Sequence, residues 1–146
     1  MNTIHYNRKA RFNYTIEDNY CGGIVLTGNE VKSIRDGKLN FNDSYCLFIN
    51  NELWVRGLYI SENKFGLKQD PTRDRKILLK KKELTKIQTT VKEKGYTIFP
   101  TSVFFNDKNI LKMNIGVGKG KKEYDKRETI KKRESDREVK KLIPSI

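Results

Sequence analysis

The alternation of apolar and polar positions predicts strands through the first half of the chain. In "RFNYTIEDNY", Phe12, Tyr14 and Ile16 fall on one side with polar residues between them, the period of two of a half-buried strand. Gly22-Gly23 interrupts the pattern, and "GIVLTG" resumes it as a short apolar strand. "NEVKSIRDG" changes period: Val31 and Ile34 sit one helical turn apart, and Gly37 stands where a helix stops. "SYCLFI", the turn-forming pair Asn50-Asn51 and "ELWVRGLYI" predict a hairpin.

The middle of the chain reads as helix. Asp70-Pro71 has the form of an N-cap followed by proline at the first helical position. Leu84, Ile87 and Val91 then repeat at i, i+3 and i+7, with Gly95 as the stop. "YTIFPTSVFF", a turn over Asn106-Asp107-Lys108-Asn109 and "ILKMNIGVG" predict a second hairpin, in which Pro100 marks an edge or a bulge. Mainly β structure with short helices, one of them inserted late, suits an antiparallel barrel of the oligonucleotide-binding type with flanking helices.

After Val117 the alternation stops. From 118 to 141 the apolar residues are Tyr124, Ile130 and Val139, which no helical face collects. Glu123/Arg127, Glu128/Lys132 and Asp136/Lys140 are nevertheless acid-before-base pairs at i, i+4, each worth only ~0.2–0.5 kcal/mol. The expected division is a barrel domain over 1–117 and a basic tail over 118–146. The tail is expected to be disordered when free and helical where a partner supplies the other side.

Charge sharpens the picture. The 146 residues are 36% hydrophobic and 34% charged, with a formal net charge of +13. Residues 1–116 carry 20 Lys/Arg against 12 Asp/Glu, and residues 117–146 carry 11 against 6, so barrel and tail are both basic. That points to a polyanionic partner, nucleic acid before an anionic membrane surface. No apolar run is long enough to span a bilayer. Cys21 and Cys46 lack metal-ligand spacing and have only His5 to help them, so two free thiols in a reducing cytoplasm are expected, with no metal.

Catalytic motifs fail on inspection. In "GVGKGKK" the outer glycines have three residues between them where a phosphate loop needs four, and Lys121 is followed by Lys122 rather than Ser or Thr. Its glycines read instead as a hinge between barrel and tail. Glu17/Asp18 and Glu30 form no paired-carboxylate motif, His5 has no partner by spacing, and Ser33 and Ser44 lack a base. A non-enzymatic protein without cofactor is expected. Binding signals are positive: "NRKARFNY" interleaves Arg8, Lys9 and Arg11 with Phe12 and Tyr14, and "PTRDRK" gathers Arg73, Arg75 and Lys76 at the expected helix start. Cations there oppose the helix dipole, which suggests an anion to be met.

"LTGNEVKSIRDGKLNFNDSY" (26–45), "RKILLKKKEL" (75–84) and "IGVGKGKKEYDKRETIKKR" (115–133) resemble the tmRNA-binding family, small protein B. The likeness runs from about Asn7 to the end. It implies an oligonucleotide-binding-type barrel that grips the tRNA-like domain of tmRNA, and a role in trans-translation on stalled bacterial ribosomes. Implied partners are tmRNA, small-subunit rRNA and, with alanyl-tmRNA, elongation factor Tu; a cytoplasmic monomer without membrane contact is expected. Asn7 matches a family position that holds the tRNA-like domain, and Lys32 lies in the shared E-V-K-S motif. With Lys9, Arg11, Arg35, Arg75 and Lys76 they make up the expected RNA-binding set.

In the tail, Gly120, Lys121, Lys122, Tyr124, Asp125, Lys126 and Arg127 match the family motif, which implies a helix in the vacant mRNA channel beside the decoding centre. Two positions depart from the family. Cys21-Gly22-Gly23 stands where Glu-Ala-Gly is usual, removing an acidic RNA contact, and Asn63 replaces a frequent tyrosine, with Phe65 two residues on. The alternative reading is a ribosomal or tRNA-binding structural module with constitutive ribosome occupancy.

Overall fold

The computed structural model describes residues 4–61 and 70–121. The chain opens with β1 (Ile4–Tyr6) and α1 (Arg8–Asn13), followed by the long β2 (Tyr14–Ile24). Phe12 therefore lies on a helix and not on the strand that "RFNYTIEDNY" predicted. The cause is a cap: the Asn7 side chain accepts from the Ala10 N–H at 3.2 Å, starting a helical turn where alternation suggested strand. β2 also continues through Gly22-Gly23, because both of its edges are paired there, one with residues 111–120 and the other with residues 75–78.

α2 (Gly28–Arg35) begins with a capping box in which Thr27 Oγ1 accepts from the Glu30 N–H and Glu30 accepts from the Thr27 N–H. Gly37, at φ +74°, ends this segment as expected. β3 (Leu39–Asn40) and the hairpin β4 (Tyr45–Ile49) and β5 (Glu52–Arg56) follow, the latter joined by Asn50-Asn51 with both residues at positive φ. Gly57, at φ +85°, breaks "ELWVRGLYI", so that β6 (Tyr59–Ile60) leaves the hairpin and pairs with β3.

The helix expected at Asp70-Pro71 does not form. The Asp70 carboxylate accepts from both the backbone N–H and the hydroxyl of Thr72 at 3.0 Å, closing a turn. β7 (Arg75–Leu78) comes next, and the helical stripe begins only at α3 (Lys81–Lys94), ended by Gly95 at φ +65°. β8 (Thr97–Phe105) and β9 (Leu111–Gly120) form the second hairpin, with a bulge between Pro100 and Ser102.

Hydrogen bonding runs in the order β1-β8-β4-β5-β7-β2-β9, and the β8–β9 pairing curls the sheet back on itself into a barrel. Closure is partial, since β4 meets β8 at Cys46 and Ile98 alone. Inward positions of the strands, among them Leu53, Val55, Ile77, Val103, Met113 and Ile115, fill the interior together with Ile34 of α2 and Ile87 of α3.

β9 extends past Val117 through Gly120, so the expected hinge glycines belong to the sheet. A Cβ on Gly118 would lie 1.8 Å from the Thr15 carbonyl oxygen, and one on Gly116 would lie 2.8 Å from the Phe99 ring. Only glycine permits those approaches. The Lys121 N–H then donates to the Asn13 carbonyl at 2.8 Å. The expectations for Asn63, Phe65 and residues 122 onward lie outside the described residues.

Candidate nucleic-acid interface

Strand register assembles a continuous strip on the outer wall of the barrel. Antiparallel pairing aligns Tyr6 with Ser102, Ser102 with Asn114, and Asn114 with Cys21. The neighbouring row aligns Ile4, Phe104, Lys112, Gly23 and Leu78. Residues between the rows, such as His5, Val103 and Met113, face the other way, as the pleat requires.

The strip mixes stacking, hydrogen-bonding and cationic groups. Tyr6 is 52% exposed, and the Arg11 guanidinium sits 5.0 Å above its ring centroid. Asn114 Nδ2 donates to Ser102 Oγ at 2.9 Å, and Thr101 Oγ1 donates to the Asn114 carbonyl at 3.1 Å. Ile4 and Leu78 are exposed apolar groups at the strip's two ends. A hollow of about 520 Å³ runs among Tyr6, Arg11, Cys21, Ser102, Phe104 and Asn114. Ser102 is itself buried and holds the Asn114 amide in place, so aromatic faces beside that amide can hold an unstacked base, and Lys112 and Arg11 can meet the phosphates on either side of it.

Asn7 supports this wall without presenting its own side chain. It is 3% exposed; its N–H donates to the Thr101 carbonyl at 2.8 Å and its Nδ2 to the Pro100 carbonyl at 2.7 Å. The residue thus ties the start of α1 to the β8 bulge and fixes where Arg11 and Tyr6 stand. Expected to help hold the tRNA-like domain, Asn7 has its side chain turned inward onto the β8 bulge. On the far side of β1, a second hollow of about 520 Å³ is lined by His5, Arg8, Lys9, Asn40 and Asn42 among others. Lys9 Nζ pairs there with Asp43 at 2.6 Å, joining α1 to the β3–β4 connection.

The other expected residues divide. Lys32 and Arg35 are exposed on α2, with the Arg35 guanidinium 4.5 Å over the Phe105 ring, away from the two rows. Lys76 is half-buried and paired with Glu52. Arg75, expected to bind RNA, lies in the interior. It has no exposed surface, donates Nε to Glu30 Oε2 at 2.7 Å, and gives its remaining donors to the Leu58 and Pro71 carbonyls at 2.6 and 2.9 Å. Arg73 pairs with the same carboxylate. The anion those arginines meet is Glu30. Burial opposes the Glu30 charge, but bonds from Arg73, the Thr27 N–H and Arg75 outweigh it and hold the carboxyl below its ordinary range.

Tyr6, Leu78, Ser102, Phe104, Lys112 and Asn114 were absent from the expected set. Their sequence signal is weak, an aromatic or polar group at the outward position of a strand, and only the register brings them into line. Gly120 ends β9 and Lys121 follows it, while the other tail candidates, Lys122, Tyr124, Asp125, Lys126 and Arg127, lie outside the described residues. Among the described residues, no group of three or more His, Cys, Asp or Glu is placed to hold a metal ion, and no helix is long and apolar enough to cross a membrane.

A family model described as "SmpB protein" matches residues 4–145. The SsrA-binding protein of Anaplasma phagocytophilum is 49% identical over 140 residues, covering 94% of each chain. That of Bacteroides thetaiotaomicron is 46% identical over 139 residues, covering 94% of this chain and 93% of the relative. Among solved structures, a chain from "tmRNA-SmpB: a journey to the center of the bacterial ribosome" superposes with a TM-score of 0.69 at 40% identity, covering 82% of this chain and 85% of that one. Matched along almost its whole length in sequence and across its barrel in shape, the chain belongs to the SmpB family.

Proposed function

We propose that this chain binds tmRNA (SsrA RNA) through the outer wall of its barrel and carries it to stalled ribosomes for trans-translation. The observation that carries the reading is the cross-strand strip of Tyr6, Ser102, Asn114 and Cys21 beside Phe104 and Lys112. It gives a basic barrel of this family a surface that can stack bases, bond their edges and meet phosphates. The major groove of an A-form duplex is too deep and narrow for side chains to read and its paired bases offer no open face for stacking, so such a surface suits looped or unstacked nucleotides of a folded RNA.

In this reading the chain acts by binding and not by catalysis. Arg11 and Lys112 supply a salt-dependent attraction to phosphates, while Tyr6 and Phe104 supply stacking that salt screens little. Asn7 holds the first two strip residues in place through the β8 bulge. The tail beyond Lys121 acts in the vacant mRNA channel, where Lys122, Tyr124, Lys126 and Arg127 meet rRNA and Asp125 pairs within the induced helix. Delivery of alanyl-tmRNA together with elongation factor Tu belongs to the same proposal. The test is recovery of RNA bound to the tagged protein in bacterial cells. Enrichment of tmRNA supports the reading; enrichment of ribosomal RNA alone, independent of stalling, contradicts it.

A further inference from the structure

Along the outer side of β9 the strip gives way to glycine. Met113, Ile115 and Val117 point into the core, so Lys112, Asn114, Gly116, Gly118 and Gly120 form the outward row. Lys112 and Asn114 belong to the strip, and the three glycines beyond them carry no side chain up to Lys121. Two rings cover this bare stretch. Phe99 lies outside the core cluster yet has no exposed surface. A Cβ on Gly116 would come within 2.8 Å of its ring, so the ring rests over the glycine row. Tyr14 stacks on Phe99 in turn, with centroids 4.3 Å apart and planes 14° from parallel. Phe99 pairs with Gly116 from one side of β9, and Tyr14 with Gly120 from the other. The rings therefore bridge β8 and β2 across the end of β9.

Tyr14 also closes α1. It is the C-cap residue, and its N–H donates to the Ala10 carbonyl. The carbonyl just before it, that of Asn13, accepts from the Lys121 N–H at 2.8 Å. The other end of α1 is held by Asn7 on the Pro100 and Thr101 carbonyls, and Arg11 in between lies over Tyr6. One short helix thus joins the strip to the base of the tail. Its neighbours Arg8, Lys9 and Arg11 made Tyr14 look like a ring for stacking on RNA. In the structure that ring is already stacked, on Phe99, and it does not line the hollow of the strip.

We propose that Tyr14 is a positioning residue for the tail: seated on Phe99, its ring clamps the end of β9 and, with the Asn13 carbonyl, sets the direction in which the chain departs beyond Lys121. The inference rests on the function proposed above, because direction matters where the tail must enter a channel while the wall holds the tRNA-like RNA. The glycines cannot set that direction themselves. Gly120 has nothing within 4 Å of where a Cβ would stand, and its backbone is the least restricted of any residue. Without the rings, the last bonds of the ladder would open locally, and the tail would start from many orientations.

The test compares three variants of the full chain with wild type. Tyr14→Leu removes the flat face, Tyr14→Phe keeps it, and two glycines inserted between Gly120 and Lys121 move the point of departure while leaving the stack in place. Each is measured for affinity to the tRNA-like RNA, for peptide tagging on stalled ribosomes, and for amide hydrogen exchange at Lys121 against Met113 and Ile115. Tyr14→Leu is expected to bind the RNA within about 3-fold of wild type, to tag ~10-fold or more slowly, and to exchange the Lys121 amide ~10-fold faster with Met113 and Ile115 unchanged. Tyr14→Phe should match wild type in all three. The insertion should reproduce the tagging defect with RNA binding and core exchange intact, and it decides the matter should Tyr14→Leu fail to fold. Wild-type tagging in Tyr14→Leu or in the insertion variant overturns the proposal. So does a loss of tRNA-like binding as large as the loss of tagging, which would return Tyr14 to the RNA grip. Exchange accelerated equally at Met113, Ile115 and Lys121 would leave the ring a stabilising role alone and overturn it too. A Tyr14→Phe variant as weak as Tyr14→Leu would assign the role to the hydroxyl, against the stack. Wild-type protein that supported no tagging would instead overturn the trans-translation reading, and the exchange measurement would still judge the clamp.

Discussion

Arg75, without exposed surface, donates Nε to Glu30 Oε2 at 2.7 Å, and through that bond the first turn of α2 is fixed to β7. Glu30 also closes the capping box of its own helix and takes a bond from Arg73, so one carboxylate organises two elements. Replacing it strands a fully buried cation. Glu30→Gln is expected to cost about 3–5 kcal/mol at pH 7. Its pH dependence follows from the sign of the shift: the folded carboxyl titrates lower than the unfolded one. The stabilisation is therefore full above the unfolded value and is lost as pH falls through the folded value. Urea unfolding of wild type and Glu30→Gln should give a gap that is constant above about pH 5 and narrows progressively as pH falls below the unfolded value of about 4.3. A gap independent of pH would refute this.

Gly118 and Gly120 should respond oppositely to alanine. A Cβ at Gly118 meets the Thr15 carbonyl at 1.8 Å, whereas at Gly120 nothing lies within 4 Å. Gly118→Ala is expected to destabilise by about 3 kcal/mol or more and to loosen β2 from β9, and Gly120→Ala to change the unfolding midpoint little. Thermal melts decide it, and equal effects would place the end of β9 elsewhere.

These cases mark what the sequence could reveal. The α3 stripe of Leu84, Ile87 and Val91, its stop at Gly95, the Asn50-Asn51 hairpin and the Pro100 bulge were legible because each is written within a few neighbouring residues. The burial of Asn7 was not, since its Nδ2 donates to the carbonyl of Pro100, 93 residues downstream. Nor was the burial of Arg75, whose partner Glu30 lies 45 residues upstream. A cationic cluster beside a proline reads the same whether its anion is inside or outside the molecule. The strip proposed to bind RNA required the register of β1, β8, β9, β2 and β7, which no local pattern supplies.

The thiols separate by burial. Cys21 is exposed on the strip, while Cys46 faces the core and burial pushes its thiol well above the usual range. An alkylating reagent should modify Cys21 in the native protein and Cys46 only on unfolding, as read by mass spectrometry. Cys46→Ser is expected to cost about 1–3 kcal/mol by burying a hydroxyl, and to leave RNA binding intact in the folded protein. Rapid native labelling of Cys46 would contradict its place in the core.

Asn7 and Tyr6 should part stability from binding. Asn7→Ala removes a helix cap and leaves the Pro100 carbonyl without its donor, so stability falls by about 1–3 kcal/mol and RNA affinity falls with it. Tyr6→Ala removes an exposed ring and should leave the melting temperature nearly unchanged while weakening RNA binding. A Tyr6 variant that loses stability as much as the Asn7 variant does would assign the ring to folding.

On the function proposed above, the barrel wall grips the tRNA-like RNA and the tail does not. The direct measurement is filter binding of that RNA to two full-length variants. One carries Tyr6→Ala with Lys112→Gln, and the other carries Asp125, Lys126 and Arg127 replaced together by alanine. Loss of one stacked base and one phosphate contact is expected to weaken the wall variant by about 10-fold or more, with a shallower salt slope. The tail variant should bind within a few-fold of wild type yet fail to support peptide tagging on stalled ribosomes. Wild-type affinity in the wall variant, with binding lost in the tail variant, would contradict the account.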